Sequence, residues 1–126
     1  MSIELNYELV VIGGGPGGYA AAFRAADLGK KVLIIEKDDK LGGVCLNRGC
    51  IPSKALLHLA KIIEDTKSIK SYGVKFNEPI LELDNIDQWK NSIINKLSKG
   101  ISQLAKARGV DILNGKGEFI STKQLK

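Results

Sequence analysis

The chain has 126 residues, 44% hydrophobic and 26% charged, with a net charge of +5. This length allows one domain at most, and no apolar run approaches the ~20 residues that a membrane span needs. The charge excess lies in residues 85–126, with 8 basic against 3 acidic side chains; spaced lysines, a single Arg and no interleaved aromatics read as a solvated helix face and argue against a nucleic-acid partner.

In chain order, the N-terminus lacks a basic region followed by an apolar stretch and a cleavage site, so a cytoplasmic address is expected. "YELVVI", residues 7–12, is a short apolar run closed by glycines and reads as a buried strand. "PGGYAAAFRAADLG" follows as a helix, with Pro16 in the first turn, alanines that favour the helical state and Gly29 at its C-terminal cap. "KVLIIE", residues 31–36, reads as a second buried strand. A β-α-β crossover makes the two strands parallel.

Gly13, Gly15 and Gly18 between the first strand and helix satisfy G-x-G-x-x-G. The first glycine permits the tight turn, the second admits a pyrophosphate against the backbone, and the third lets helix and strand approach closely. Free N–H groups and the helix dipole then hold the phosphates. Glu36 ends the second strand 23 residues after Gly13, where a carboxylate can accept hydrogen bonds from both hydroxyls of an adenosine ribose. The combination points to an ADP-containing dinucleotide and leaves FAD and NAD unseparated.

"GGVCLNRGCIPSK", residues 42–54, holds both cysteines, Cys45 and Cys50. A structural zinc site needs four ligands, and the chain offers two cysteines and the single His58; no metal is expected. A structural disulfide is disfavoured in a reducing cytosol and constrains little across so short a loop. Two inert thiols remain an alternative. A redox pair fits the local physics best. Five extended steps would carry the chain roughly 17 Å, so the segment must double back, a turn that Gly49 eases. Pro52 then starts a helix whose N-terminal charge favours a thiolate at Cys50, and Lys54 lies one turn beyond Cys50 on the same face. His58 lies roughly 12 Å along that helix, too far to serve the thiols.

From Pro52 to about Ser68 the pattern is helical, with Leu56, Leu59, Ile62 and Ile63 on one side. "YGVKF" reads as a short strand or a turn. Asp84 is a plausible N-cap for a helix over residues 85–108, with Ile86, Trp89, Ile93, Leu97, Ile101 and Leu104 as its core stripe. Gly109 ends it, "VDILN" reads as a strand and "GEFIS" as the start of another, both without a visible partner. The chain reads as cut rather than finished.

"VVIGGGPGGYAAAFRAADLGKKVLIIEK" and "GGVCLNRGCIPSKALLH", in this order and spacing, resemble the pyridine nucleotide-disulfide oxidoreductases over essentially all 126 residues. The resemblance implies an α/β fold, an incomplete Rossmann-like FAD-binding fold forming the N-terminal part of an FAD-binding domain, with the NAD-binding and dimerisation domains absent. It implies FAD at Gly13, Gly15, Gly18 and Glu36, with Gly42 and Gly43 passing close to the flavin side. By the same resemblance Cys45 is the interchange thiol, Cys50 the charge-transfer thiolate against the flavin, and Lys54 a neighbour of the ring's reactive edge. "IPSKALLH" favours the branch that oxidises protein-bound dihydrolipoyl groups with NAD⁺ as final acceptor, in a homodimeric intact enzyme that serves 2-oxo acid dehydrogenase complexes. Glutathione- and mercuric-reductase-like relatives, or a non-catalytic FAD-binding module, are the alternatives. Val44 stands where many relatives carry Thr, and Arg48 where a small apolar residue is commoner. The 126-residue chain alone is expected to be inactive.

Overall fold

A computed structural model describes residues 5–126. Three parallel strands form the sheet: β1 (Leu9–Ile12), β2 (Val32–Glu36) and β3 (Asp111–Asn114), in the order β1-β2-β3. Leu9 pairs with Val32 and Ile12 with Ile35; Leu33 pairs with Asp111 and Glu36 with Asn114. The β-α-β reading holds, with α1 (Pro16–Asp27) between β1 and β2. Gly29 takes a φ of +81° just past that helix, the left-handed conformation that a glycine adopts without Cβ strain.

Only β2 is buried along its whole length. It has a strand on each side, so both its edges are paired, and side chains on both its faces are buried, as its unbroken apolar run predicts for a central parallel strand. β1 is expected to be buried, but Leu9 and Ile12 remain exposed. It lies at the sheet edge, with one neighbour only, and an apolar run does not distinguish an edge strand from a central one.

The core lies on the face of β2 that carries Val32 and Ile34, both 0% exposed. Ala22 from α1, Ala105 from α4 (Leu83–Ala107), Leu41 and Val110 pack with them. Burying side chains of this size stabilises the fold by about 1.5–3 kcal/mol each. The alanines let both helices sit close to the sheet. On the opposite face, Gly117 lies over Ile35 and Ile12.

Three expectations need correction, and one pair of alternatives resolves. The cysteine segment is not a loop: Gly43–Arg48 forms a short helix, α2, and α3 runs over Cys50–Ser68 before a 3-10 turn at Ile69–Tyr72. Pro52 therefore sits third in α3, still within the first turn, where its missing N–H has no intrahelical partner to lose. Of the two alternatives for "YGVKF", the turn holds: Tyr72 ends the 3-10 turn and Gly73, at φ +92°, closes it. α4 begins at Leu83, with Glu82 at the cap position and no side-chain cap hydrogen bond, so Asp84 lies inside the first turn. The terminal strands do have partners: β3 joins β2, and β4 (Phe119–Ser121) pairs antiparallel with β5 (Gln124–Leu125).

The α4 stripe is also displaced. Ile94, Ser98 and Ala105 are its buried residues, whereas Trp89, Leu97 and Leu104 are exposed at 39%, 42% and 49%. The buried row is offset by one residue from the expected one, and it contains a serine. Along α3 no residue is fully buried, and Leu56 and Ile62 are exposed.

Candidate functional site

The glycine turn is built by β1 and α1. Gly13 leaves the strand at φ +99°, and its N–H donates to the Ile35 carbonyl at 2.8 Å. A Cβ on Gly18 would overlap the Gly13 carbonyl oxygen, so only glycine allows the first turn of α1 to pack against the strand exit. α1 opens at Pro16, and its first intrahelical backbone donor, Tyr19 N–H, reaches Gly15 O at 2.9 Å. The N–H groups of Gly17 and Gly18 therefore precede the helix ladder and face the turn without an intrahelical acceptor. Open backbone donors, the positive end of a three-turn helix and a surface free of Cβ atoms fit the pyrophosphate of a dinucleotide.

Glu36 is 7% exposed, and its carboxylate closes the turn from below. Its Oε2 accepts from Gly14 N–H at 2.6 Å and its Oε1 from Asp38 N–H at 2.9 Å. The expected ribose acceptor thus also holds two backbone donors of the turn and of the β2 exit. A carboxylate has about four lone-pair sites, so capacity for further donors remains.

The second glycine pair meets the first. Gly42 and Gly43 both have positive φ, +118° and +66°. Gly42 N–H donates to Gly14 O at 2.8 Å. A Cβ on Gly43 would stand 2.8 Å from the Gly15 Cα, too close for any side chain. The start of α2 therefore rests directly against the middle glycine of the turn, and Cys45 follows two residues later.

Cys45 and Cys50 are joined in a disulfide, with Cα atoms 4.7 Å apart, inside the range that this bond accepts. The chain reverses through one turn of α2 and the break at Gly49, not through an extended loop. Gly49 has a negative φ; its role is steric, since a Cβ there would lie 3.1 Å from Val44 O. Cys45 is half-buried and Cys50 exposed, at the first position of α3. Lys54 stands one turn further along the same helix and is exposed, as is His58. Arg48 reaches away from the cysteines to Asp38 at 2.9 Å and ties the end of α2 to the β2 exit. Val44 is exposed.

The structure thus brings together Gly13, Gly15, Gly18, Glu36, Gly42 and Gly43, with Cys45 and Cys50 beside them; Lys54 lies one helical turn outward. Sequence reasoning missed Leu41, whose side chain fills the space that a Cβ on Gly14 would need. It also missed Ser98, 3% exposed, which donates to Leu41 O at 2.9 Å. A serine four residues after one isoleucine and three before another, on a helix, was the available signal. A polar groove of about 430 Å³ lies between α2, α4 and residues 38–40, and it includes neither cysteine nor any glycine of the turn. Among the described residues no three His, Cys, Asp or Glu side chains cluster to hold a metal ion.

The pyridine nucleotide-disulphide oxidoreductase profile matches residues 7–126. A dihydrolipoyl dehydrogenase of Vibrio cholerae is 52% identical over 119 residues, covering 94% of this chain and 25% of the relative. One from Buchnera aphidicola of Acyrthosiphon pisum is 50% identical over 125 residues, covering 99% and 26%. A third, dihydrolipoyl dehydrogenase 2 of Haloarcula marismortui, is 43% identical over 118 residues, covering 94% and 25%. The chain spans about a quarter of the length of the curated relatives it matches. It belongs to the pyridine nucleotide-disulphide oxidoreductase family.

Proposed function

We propose that, within this family, the chain is the N-terminal part of an FAD-binding domain in a dihydrolipoyl dehydrogenase. In this reading Gly13, Gly15 and Gly18 hold the FAD pyrophosphate, Glu36 the adenosine ribose, and Gly42 and Gly43 the approach to the flavin. The observation that carries it is the contact of Gly43 with Gly15, which sets the disulfide helix against the phosphate turn. NAD⁺ binding and dimerisation belong to further domains of the intact protein. Its substrate is a lipoyl-bearing protein of a 2-oxo acid dehydrogenase complex. The address is cytoplasmic; among the described residues no helix is long and apolar enough to cross a membrane.

The chemistry at the sulfurs is thiol–disulfide exchange. A dihydrolipoyl thiolate attacks Cys45 Sγ, forming a mixed disulfide and releasing Cys50 as a thiolate. The second lipoyl thiolate attacks the lipoyl sulfur of that mixed disulfide. Lipoyl leaves oxidised and Cys45 leaves as a thiolate, which takes up a proton lost from the lipoyl thiols, so two electrons now rest on the cysteine pair. FAD, held by Gly13, Gly15, Gly18 and Glu36, would supply a two-electron acceptor next to the cysteine pair. The N-terminus of α3, 19 residues long, favours negative charge at Cys50. Lys54 brings a cation one turn beyond Cys50 on the same helix, where it would favour negative charge on the thiol pair or on a bound ring.

Trapping tests the roles. With FAD supplied, Cys50→Ser leaves Cys45 free to open oxidised lipoamide, and mass spectrometry should find a Cys45–lipoyl mixed disulfide. Cys45→Ser should give much less adduct at Cys50. Equal capture by both variants contradicts the assignment of Cys45 as the interchange thiol.

A further inference from the structure

Leu41 O is a carbonyl that the local backbone cannot satisfy. It lies one residue before Gly42, whose φ of +118° turns the chain out of any ladder, and Leu41 itself is 3% exposed. A buried carbonyl needs a donor. Two side chains from different helices supply it: Ser98 Oγ of α4 at 2.9 Å and Asn47 Nδ2 of α2 at 3.3 Å. Ser98 and Glu36 are the only buried polar residues among those described. The amide of Asn47 has one useful orientation, because a flip would set its oxygen against Leu41 O; in the orientation observed, Asn47 Oδ1 stays buried and without a donor.

We infer that Ser98 and Asn47 are positioning residues for the Cys45–Cys50 pair, acting through the Leu41 carbonyl. The inference rests on the reading of that pair as the working thiols. Leu41 leads straight into Gly42 and Gly43, and Gly43 begins the helix that carries Cys45. Its side chain is wedged against Gly14, so with its carbonyl clamped the residue has no freedom to slide. α4 thereby fixes where α2 starts, and so how near Cys45 stands to Cys50 at the head of α3. Held thiols close a disulfide at a higher effective concentration than loose ones. Losing the clamp therefore shifts the pair toward its reduced form.

The test is the equilibrium of the full chain with dithiothreitol, in which the Cys45–Cys50 disulfide takes up two electrons and two protons and dithiothreitol closes to its cyclic disulfide. Alkylation and mass spectrometry count the two states without any flavin or lipoyl group. Ser98→Ala should favour the dithiol by about two- to five-fold, up to the worth of one ordinary hydrogen bond. Ser98→Thr keeps the hydroxyl and should restore the parental value. Ser102→Ala removes a hydroxyl one turn along α4 that bonds Ser98 O instead, and should leave the equilibrium unchanged. If Ser98→Ala does not fold, Asn47→Ala tests the same carbonyl from α2 and should shift it in the same direction. A parental equilibrium in folded Ser98→Ala or Asn47→Ala overturns the inference. It would leave the flavin reading intact, just as failure to bind FAD would leave this equilibrium measurable.

Discussion

Gly18 and Gly100 show how differently one residue type acts. A Cβ on Gly18 would overlap Gly13 O, which is backbone and cannot rotate away. Gly18→Ala should cost about 3 kcal/mol or more, read as a lowered urea midpoint, or prevent folding. Gly100 sits inside α4 with open space where a Cβ would go. Gly100→Ala should raise stability by about 0.5–1 kcal/mol in the same assay, since glycine carries the larger entropy loss in a helix. The turn glycines, Glu36 and the two cysteines are legible in the sequence because each belongs to a recognisable pattern: a glycine spacing between strand and helix, an acid at the end of the second strand, and two thiols in one short segment. Leu41, Asn47 and Ser98 are not, because Ser98 reaches Leu41 across 57 residues of chain and no spacing rule spans that distance.

α4 illustrates what periodicity leaves open at the level of the element. A 25-residue helix with apolar side chains at 86, 89, 93, 94, 97, 101 and 104 offers two overlapping stripes, and spacing alone does not say which one meets the sheet. Ala105 joins the core on β2, Ser98 bonds the Leu41 carbonyl and Ile94 lies beside α2, so the buried row serves both the sheet and the cysteine helix. Leu104→Ala should therefore cost less than about 1 kcal/mol, while Ile34→Ala in β2 should cost about 2–5 kcal/mol; comparable losses in chemical denaturation would contradict this placement of α4. Six residues give no helical period, so the cysteine segment reads as a loop, whereas the 12 residues of α1 and the unbroken apolar run of β2 are read directly. The segment before β1 is tied to the β2 entrance by Glu8, which accepts from Lys30 Nζ and from Lys31 N–H, both at 2.9 Å. The Lys30 hydrogen bond first, and then the backbone donor, hold the Glu8 carboxyl below the usual carboxylate range. Its small stabilisation is thus complete above the ordinary carboxylate value and fades as pH falls through the lowered one. In an NMR titration, Lys30→Ala should move the Glu8 midpoint upward, and added salt should reduce the difference.

For the molecule as a whole, the sheet, α1 and α4 form a base that brings two glycine turns into contact, and the disulfide sits on the second of them. Exposed apolar side chains remain on α3 and α4, among them Leu57 at 67% and Leu97 at 42%. The chain offers a glycine turn with open backbone donors and a pair of cysteines but only one histidine, His58, which lies exposed and two turns beyond Cys50. Purified by itself, it should give no steady-state NADH from dihydrolipoamide and NAD⁺. The central claim is that the cradle and the thiols work as one redox unit. Its most direct measurement is the absorbance of FAD bound to the protein, followed without oxygen as dihydrolipoamide is added. The parental protein should show the flavin spectrum change with the dithiol, and Cys45→Ser/Cys50→Ser should bind FAD but leave its spectrum unchanged. Equal reduction of the flavin in both proteins would show that electrons reach it without the cysteines.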